Sequence, residues 1–158
     1  MKKLKHYVET SVWNFLFADD APEKRTSTEN FFIEVEAGRY DIFVSEVVMA
    51  EIEDAPGGKY GKLRSAIDRY SPKALSSDEE SDYMVEAYLE GGLLSPKNLI
   101  DLTHLSIASV NDMDILISWN LRHLVKARTR MLANAINRMN GYHDIEICTP
   151  GEAIEDED

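Results

Sequence analysis

The chain has little cysteine, no long apolar run and a deficit of positive charge, and each shortage excludes a class of protein. Cys148 is the only cysteine among 158 residues, so neither an intramolecular disulfide nor a cysteine-based zinc site is expected. No apolar run approaches the roughly 20 residues that span a membrane. The basic N-terminus also lacks the apolar stretch and the cleavage site of a signal peptide, and we therefore predict a cytoplasmic protein with no membrane partner.

The charge balance is strongly negative, because 17 Lys and Arg stand against 29 Asp and Glu, a net charge of −12 at pH 7. Such a charge argues against a passive nucleic-acid-binding protein, which is expected to be basic. The charge is uneven, however, because residues 151–158 contain five acids and no base, whereas residues 115–143 contain five bases and no acid. The basic stretch indicates either a solvated helix face or a surface for a polyanion.

The length predicts one domain, which we assign to residues 1–150, followed by an acidic tail over 151–158. Short apolar runs typical of strands alternate with segments of helical periodicity. Strands are predicted over 4–8, 41–45, 74–75, 114–118 and 145–148. Helices are predicted over 10–17, 28–37, 46–53, 59–70, 77–90, 101–110 and 124–139. This alternation favours an α/β fold in which helices cover both faces of a parallel sheet.

The last long predicted helix carries two stripes. Its apolar residues recur at helical spacing and are predicted to face the core: Leu124, Met131, Leu132, Ala135, Ile136 and Met139. Its bases follow a neighbouring stripe, and steps of four residues keep them on one broad side of a helix. This basic ribbon consists of Arg122, Lys126, Arg130 and Arg138, with Asn134 among them.

Acidic residues recur at the edge of the predicted sheet where ligands of open parallel sheets bind. Glu9 ends the first strand, and Glu51 lies in the helix after the second strand. Asp101 begins the helix before the 114–118 strand, and Asn120 follows that strand. We expect these four side chains to meet. Three carboxylates and an amide oxygen suit Mg²⁺ or Mn²⁺, and a cation would offset the repulsion between the like charges.

Each of these residues also has an ordinary structural explanation. Glu9 fits an exposed strand end, and Glu51 fits an exposed helix acid. Asp101 is a favoured N-cap residue, and Asn120 is a favoured turn residue. The individual signals are therefore weak, and the evidence for a metal site is their predicted convergence.

Four segments of the chain resemble the PIN domain in their order and spacing. They are YVETS at 7–11, VSEVVMAE at 44–51, DLTHLSIA at 101–108 and DILISWNLRHL at 114–124. The last segment resembles one subgroup, in which a hydrophobic strand is followed by Trp-Asn-x-x-His. The resemblance implies a three-layer α/β/α sandwich with a central, mostly parallel sheet. It also implies a metal-dependent endoribonuclease, often the toxin of a VapC-type toxin–antitoxin pair.

The resemblance assigns roles to individual residues. Glu9, usually Asp in the family, Glu51 and Asp101 correspond to the three acids, which implies that they bind the metal and act in catalysis. Asn120 stands where many relatives have a fourth, catalytic Asp. This replacement removes one charge, although an amide oxygen can still bind a metal or its water, and it makes binding of a second metal doubtful.

Other matched positions surround these acids. Thr10 and Ser118 correspond to hydroxyl positions that orient the carboxylates or a water. His104 is expected to support the site or the core, and Trp119 to pack. Two further residues of the subgroup motif either contact phosphate or fix the loop: Arg122 and His123.

The resulting prediction is an endoribonuclease that hydrolyses phosphodiester bonds with Mg²⁺ or Mn²⁺. The substrate is expected to be single-stranded or looped RNA, with its backbone bound by Arg122 and Lys126 but not by Arg138. An antitoxin protein and a homodimer are the expected protein partners. Two alternatives remain open: a PIN-like module with weak or no nuclease activity that acts through a protein partner, and a DNA-directed nuclease of the same fold.

Overall fold

Five short parallel strands form the centre of the molecule. The computed structural model describes residues 2–154, and its strands are β1 (Lys5–Val8), β2 (Asp41–Ser45), β3 (Lys73–Leu75), β4 (Ile115–Ile117) and β5 (Glu146–Cys148). They are arranged in the order β3-β2-β1-β4-β5, and each neighbouring pair is parallel. The inner strands are almost entirely buried, because helices cover a parallel sheet on both faces.

The helices of the described residues form two groups. They are α1 (Thr10–Phe15), α2 (Pro22–Glu36), α3 (Glu46–Glu53), α4 (Lys59–Tyr70), α5 (Glu79–Glu90), α6 (Leu99–Val110), α7 (Ala127–Met139) and α8 (Pro150–Ala153), with a 3₁₀ turn at Pro96–Asn98. Helix α2 packs on α1, α4 and α8, whereas α5 packs on α6 and α7. The architecture confirms the predicted α/β fold with a central parallel sheet.

The N-terminal group of helices encloses an aromatic core. The Trp13 ring lies 4.9 Å from that of Phe32, and the Phe32 ring lies 4.4 Å from that of Tyr70. His6 of β1 is fully buried beside Tyr40, with ring centroids 4.5 Å apart. These contacts fix α2 and α4 against the strand that leads into the candidate site.

The long basic helix differs from its prediction in its start and in its buried face. It begins at Ala127 rather than at residue 124, so Arg122 lies in the preceding turn and the basic residues do not share one helix. Met131 and Met139 are 75% and 85% exposed, so they are not core residues. Ile136 is buried as predicted, and the rest of the buried face carries Thr129, Ala133 and Asn137. Polar groups are buried here because hydrogen bonds satisfy them, as between the Thr129 hydroxyl and the His123 carbonyl.

The structure also differs from the prediction at α2 and at the C-terminal end of the described residues. Helix α2 begins at Pro22 rather than at residue 28, because proline suits the first helical turn. Residues 151–153, assigned to the acidic tail, belong to α8, and the Tyr40 hydroxyl donates a hydrogen bond to the Ala153 carbonyl. The acids over 155–158 lie outside the described residues. Within residues 2–154, no helix has the length and apolar character needed to cross a membrane.

Candidate metal centre

The candidate site lies where the strand order changes direction. After β1 the chain adds β2 and β3 on one side of β1, and it then adds β4 and β5 on the other side. The carboxyl ends of β1 and β4 therefore border a crevice, which is the usual ligand position in an open parallel sheet. Glu9 directly follows β1, and Ser118 and Asn120 follow β4. Glu51 reaches the same edge from α3, and Asp101 reaches it from the first turn of α6.

Glu9 is a buried carboxylate held by hydrogen-bond donors. It caps the N-terminus of α1 and accepts a hydrogen bond from the Ser11 backbone N–H at 2.8 Å. The hydroxyls of Ser11 and Ser118 both donate to its Oε1, each at 2.6 Å. Three donors fix the direction of a carboxylate that is only 6% exposed.

Glu51 is held by two donors on one of its oxygens. Its Oε1 lies 2.7 Å from the Thr10 hydroxyl and 2.6 Å from His104 Nε2. Partial burial raises the pKa of Glu51, but these two hydrogen bonds outweigh it and leave the pKa below the ordinary value. The carboxylate is therefore ionised and oriented, and its Oε2 accepts no hydrogen bond from the described residues.

His104 connects Glu51 to the interior. It is 1% exposed, and its Nδ1 lies 2.6 Å from the Tyr7 hydroxyl, which lies 2.7 Å from Ser45 Oγ. Burial raises the pKa of Tyr7, so the phenol keeps its proton. One proton assignment satisfies every group: Ser45 donates to Tyr7, Tyr7 donates to Nδ1, and the Nε2–H of His104 donates to Glu51.

Asp101 has weaker support than the two glutamates. Its Oδ1 accepts a hydrogen bond of 3.1 Å from Asn120 Nδ2. Burial raises the pKa of Asp101, and the Glu9 charge raises it further. Electrostatic interactions with the His104 and His123 rings and the hydrogen bond from Asn120 oppose this rise. Ionisation of Asp101 is thus less favourable than that of an exposed aspartate.

Asn120 uses both ends of its amide. Its Nδ2 donates to Asp101, whereas its Oδ1 accepts a hydrogen bond of 3.0 Å from the His123 backbone N–H. Its own N–H donates to Ser118 Oγ at 2.9 Å. Asn120 therefore ties Asp101 to the turn after β4, and its oxygen points to that turn.

The structure thus brings the predicted acids to one edge of the sheet and adds a histidine. Glu9, Glu51 and His104 each offer a ligand atom, and these atoms lie within 4.8 Å of one another. Asp101 is outside this tight group, but it is near enough to Glu9 for the Glu9 charge to raise its pKa. A cluster of oriented carboxylates that are buried or half-buried, without sulfur, fits a hard divalent cation.

Sequence reasoning missed several donors of the site. Ser11 follows Glu9 by two residues, and its position in the first turn of a helix was the available signal. Tyr7 and Ser45 gave no signal, because their contacts join residues 38 and 97 positions apart. Thr10 and Ser118 contact Glu51 and Glu9, respectively.

The basic residues divide into exposed and paired groups. Arg122 and Lys126 are exposed on the segment between Asn120 and α7, and no acid of the described residues pairs with either side chain. Arg138 forms an ion pair with Asp144.

Trp119 packs beside Phe15, with ring centroids 5.7 Å apart, and its indole N–H donates to Thr28.

The five-stranded parallel sheet and the helices that cover it define the class as an α/β fold. Among solved structures, the chain is similar to VapBC2 from Rickettsia felis, crystallised with a DNA fragment from its promoter. The TM-score is 0.53 with 16% identity, covering 75% of this chain and 90% of that one. This likeness shows the fold alone.

Other comparisons add no argument about function. A weaker similarity, with a TM-score of 0.45 and 17% identity, relates 93% of this chain to 53% of tyrosyl-tRNA synthetase from Aeropyrum pernix. No family model and no curated protein matches the sequence.

Proposed function

We propose that the protein is a metal-dependent endoribonuclease that binds Mg²⁺ or Mn²⁺ through Glu9, Glu51 and Asp101. The observation that carries the proposal is the meeting of the Glu9 and Glu51 carboxylates at the carboxyl edge of the sheet, with serine, threonine and histidine donors behind them. Asp101 lies close enough for the Glu9 charge to raise its pKa. The PIN-like fold of the VapBC2 complex supports the proposal. Bringing such charges together without a cation is unfavourable, so the arrangement favours a site for one.

The side chains divide the chemical work. The bound cation supplies a lowered pKa for water and offsets charge on the scissile phosphate. Glu9 and Glu51 keep fixed orientations through their hydrogen bonds. Asp101 Oδ2, which Asn120 leaves free, would hold a water beside the cation site and accept its proton, because burial and the Glu9 charge raise the pKa of this carboxyl.

The substrate that suits this surface is single-stranded or looped RNA. Most of the molecule is acidic and repels a polyanion, since the net charge is −12. Arg122 and Lys126 lie on the segment that begins at Asn120, so they offer positive charge beside the acidic edge. Backbone contacts from these two residues would bring the scissile phosphate to the carboxylates.

The test is cleavage of matched RNA and DNA oligonucleotides in Mn²⁺. Asp101→Asn is expected to lower RNA cleavage about 100-fold or more, the scale of losing one positioned acid–base group. Asp82→Asn, which removes an exposed carboxylate of α5, is the matched control and should retain wild-type activity. Faster cleavage of DNA would indicate a DNA-directed nuclease, and absence of metal-dependent cleavage would refute the proposal.

We further propose an antitoxin as the protein partner, because the similar structure is a VapBC2 complex. Expression of the wild type should then arrest growth, whereas expression of Asp101→Asn should not. Coexpression of a small protein encoded beside the gene should restore growth. Growth arrest by Asp101→Asn as well would indicate a role that does not depend on nuclease activity.

A second candidate is a partner-binding module without nuclease activity. The supporting observation is a groove of about 650 Å³ between the end of α1 and helices α2 and α4. Its apolar floor includes Leu16, Phe17, Ile33, Ala66 and Tyr70. This candidate predicts no RNA cleavage, so the same oligonucleotide assay separates it from the nuclease.

A further inference from the structure

We propose that the centre takes one divalent cation per chain and that Asn120 excludes a second. This inference rests on the proposed function, since it takes Glu9, Glu51 and Asp101 as the cation site. The observation that carries the inference is the direction of the Asn120 amide, which the proposed function does not use.

The Asn120 amide presents hydrogen atoms to Asp101. Its Nδ2 lies 3.1 Å from Asp101 Oδ1, so an N–H donor occupies that oxygen on the Asn120 side. A second cation bound there would face the positive end of the amide. Two-cation sites place their ions about 3.5–4 Å apart and need carboxylate oxygens for both.

The alternative orientation of the amide is disfavoured by both of its neighbours. Turning the side chain over would direct Asn120 Oδ1 at the Asp101 carboxylate and Nδ2 at the His123 backbone N–H. The first contact would join two acceptors and the second would join two donors. The oxygen of Asn120 is therefore committed to the turn and is withheld from a metal.

The supply of free ligand atoms also matches one cation. Both oxygens of Glu9 accept hydrogen bonds, and Glu51 Oε1 accepts two. Within the described part of the site, Glu51 Oε2 and Asp101 Oδ2 are the carboxylate oxygens without a hydrogen bond. A Mg²⁺ ion needs only one or two carboxylates and completes its octahedron with water.

The formal charge of the three carboxylates also favours a single divalent cation. The three carboxylates carry −3 when all are ionised, and one divalent cation leaves the cluster at −1. A second cation would reverse the sign to +1 within a partly buried site, where uncompensated charge is costly.

The test is a Mn²⁺ titration of the full-length protein, with free Mn²⁺ measured by electron paramagnetic resonance. The wild type should bind one Mn²⁺ per chain at this centre. Asn120→Asp replaces the donor with a carboxylate and should bind two. Asn30→Asp makes the same change in charge at an exposed position of α2 and should bind one.

Thermal unfolding keeps the test decisive if Asn120→Asp folds poorly. The variant places a second carboxylate against Asp101, so without metal its melting temperature should fall below that of the wild type, and Mn²⁺ should raise it by more than it raises the wild type. Two Mn²⁺ per wild-type chain, or one per Asn120→Asp chain, would overturn the inference. No Mn²⁺ on the wild type would instead refute the proposed metal site, whereas loss of RNA cleavage with one bound Mn²⁺ would refute only the nuclease.

Discussion

Hydrogen-bond donors are shared unequally among the three acids. Glu9 accepts three hydrogen bonds and Glu51 accepts two, whereas Asp101 accepts one, from an uncharged amide. Asp101 also lies within the field of Glu9, which raises its pKa. The unfavourable free energy of the clustered charges is therefore concentrated on Asp101, the residue with the least support.

Asp101→Asn is expected to stabilise the metal-free protein at neutral pH. Because the pKa of Asp101 is raised in the folded state, its contribution favours folding at low pH and is lost as pH rises through the folded pKa. Asparagine keeps an acceptor for Asn120 and removes the charge. We expect about 0.5–2 kcal/mol of added stability at pH 7 in EDTA, measured by urea unfolding.

Two controls accompany that measurement. The gain should shrink as pH falls through the raised pKa of the wild-type carboxyl, and saturating Mn²⁺ should favour the wild type over the variant. A less stable Asp101→Asn protein at pH 7 in EDTA would show that the carboxylate is not under strain.

His6 should make folding stability depend on pH below neutrality. Burial lowers its pKa to about 4, although its hydrogen bond to the Leu4 carbonyl and the charges of Asp114 and Asp41 oppose the change. Between pH 6.5 and about 4, His6 is therefore protonated in the unfolded chain but neutral in the folded protein. Stability should fall across this window by about 3 kcal/mol as pH falls, at 1.36 kcal/mol per unit.

The His6→Phe variant isolates this effect. Phenylalanine retains the contacts with Phe31 and Tyr40 but cannot be protonated. The variant should show a shallower dependence of unfolding free energy on pH between 4 and 6.5, whatever its absolute stability. Equal slopes for the two proteins would assign the acid sensitivity to other groups.

At the scale of secondary-structure elements, one chain of hydrogen bonds joins two strands and two helices. It runs from Ser45 at the end of β2 through Tyr7 of β1 and His104 of α6 to Glu51 of α3. Because the Tyr7 hydroxyl fixes the proton position on His104, it also fixes the donor that holds Glu51. The orientation of a site carboxylate thus depends on the packing of the sheet beneath it.

Tyr7→Phe should lower Mn²⁺ affinity about 10-fold, the smaller end of the effect of losing a group that orients a ligand. The ring remains in the core, but His104 Nδ1 loses its donor and Glu51 becomes less fixed. Isothermal titration with Mn²⁺ measures the change. Tyr88→Phe is the matched control, since it removes an equally buried hydroxyl bonded to Ser109 and Asn137, away from the site.

The control should lose stability and keep its Mn²⁺ affinity. Unchanged affinity in Tyr7→Phe would mean that Glu51 does not depend on the Tyr7 hydroxyl. An equal loss of affinity in both variants would assign the effect to general loosening of the core.

The sequence predicted the elements well where burial and periodicity agree. The strand over 41–45 coincides with β2, because the apolar run at 42–44 is typical of a central parallel strand. The prediction for Met131 is wrong because an apolar residue at helical spacing can be exposed as well as buried. The polar Asn137 occupies the buried face, because it forms hydrogen bonds with Tyr88 and Ser109. The start of α7 was missed because Asn120 caps a turn that delays the helix.

The site was predictable only in part for a related reason. Residues at strand ends and helix starts can be placed on an edge of the sheet from the order of elements, which located Glu9, Glu51 and Asp101. The direction of a side chain depends on contacts between distant segments, such as the bond of Ser118 to Glu9 across 109 positions. The orientation of the Asn120 amide likewise depends on contacts that the sequence does not reveal.

At the scale of the whole molecule, the positions of the charged side chains matter more for polyanion binding than the net charge does. The net charge of −12 opposes binding of a polyanion, but the basic side chains expected to contact one need only be free and close to the proposed site. Arg128 donates to the carbonyls of Gly92 and Leu93, and Arg138 pairs with Asp144. Arg122 and Lys126 are exposed and carry no described acid partner, which makes them the expected phosphate contacts.

The salt dependence of RNA binding measures those contacts. Each phosphate contact that is lost should flatten the slope of log affinity against log salt by about 0.7 for a single strand, since fewer counterions are released. Binding is measured in Ca²⁺, which is chosen to suppress cleavage. Arg122→Ala and Lys126→Ala should each flatten the slope, whereas Arg138→Ala should retain it because its guanidinium is already paired in the free protein. A slope that changes only in Arg138→Ala would place the RNA along α7, away from the acidic edge, and would separate the basic surface from the proposed site.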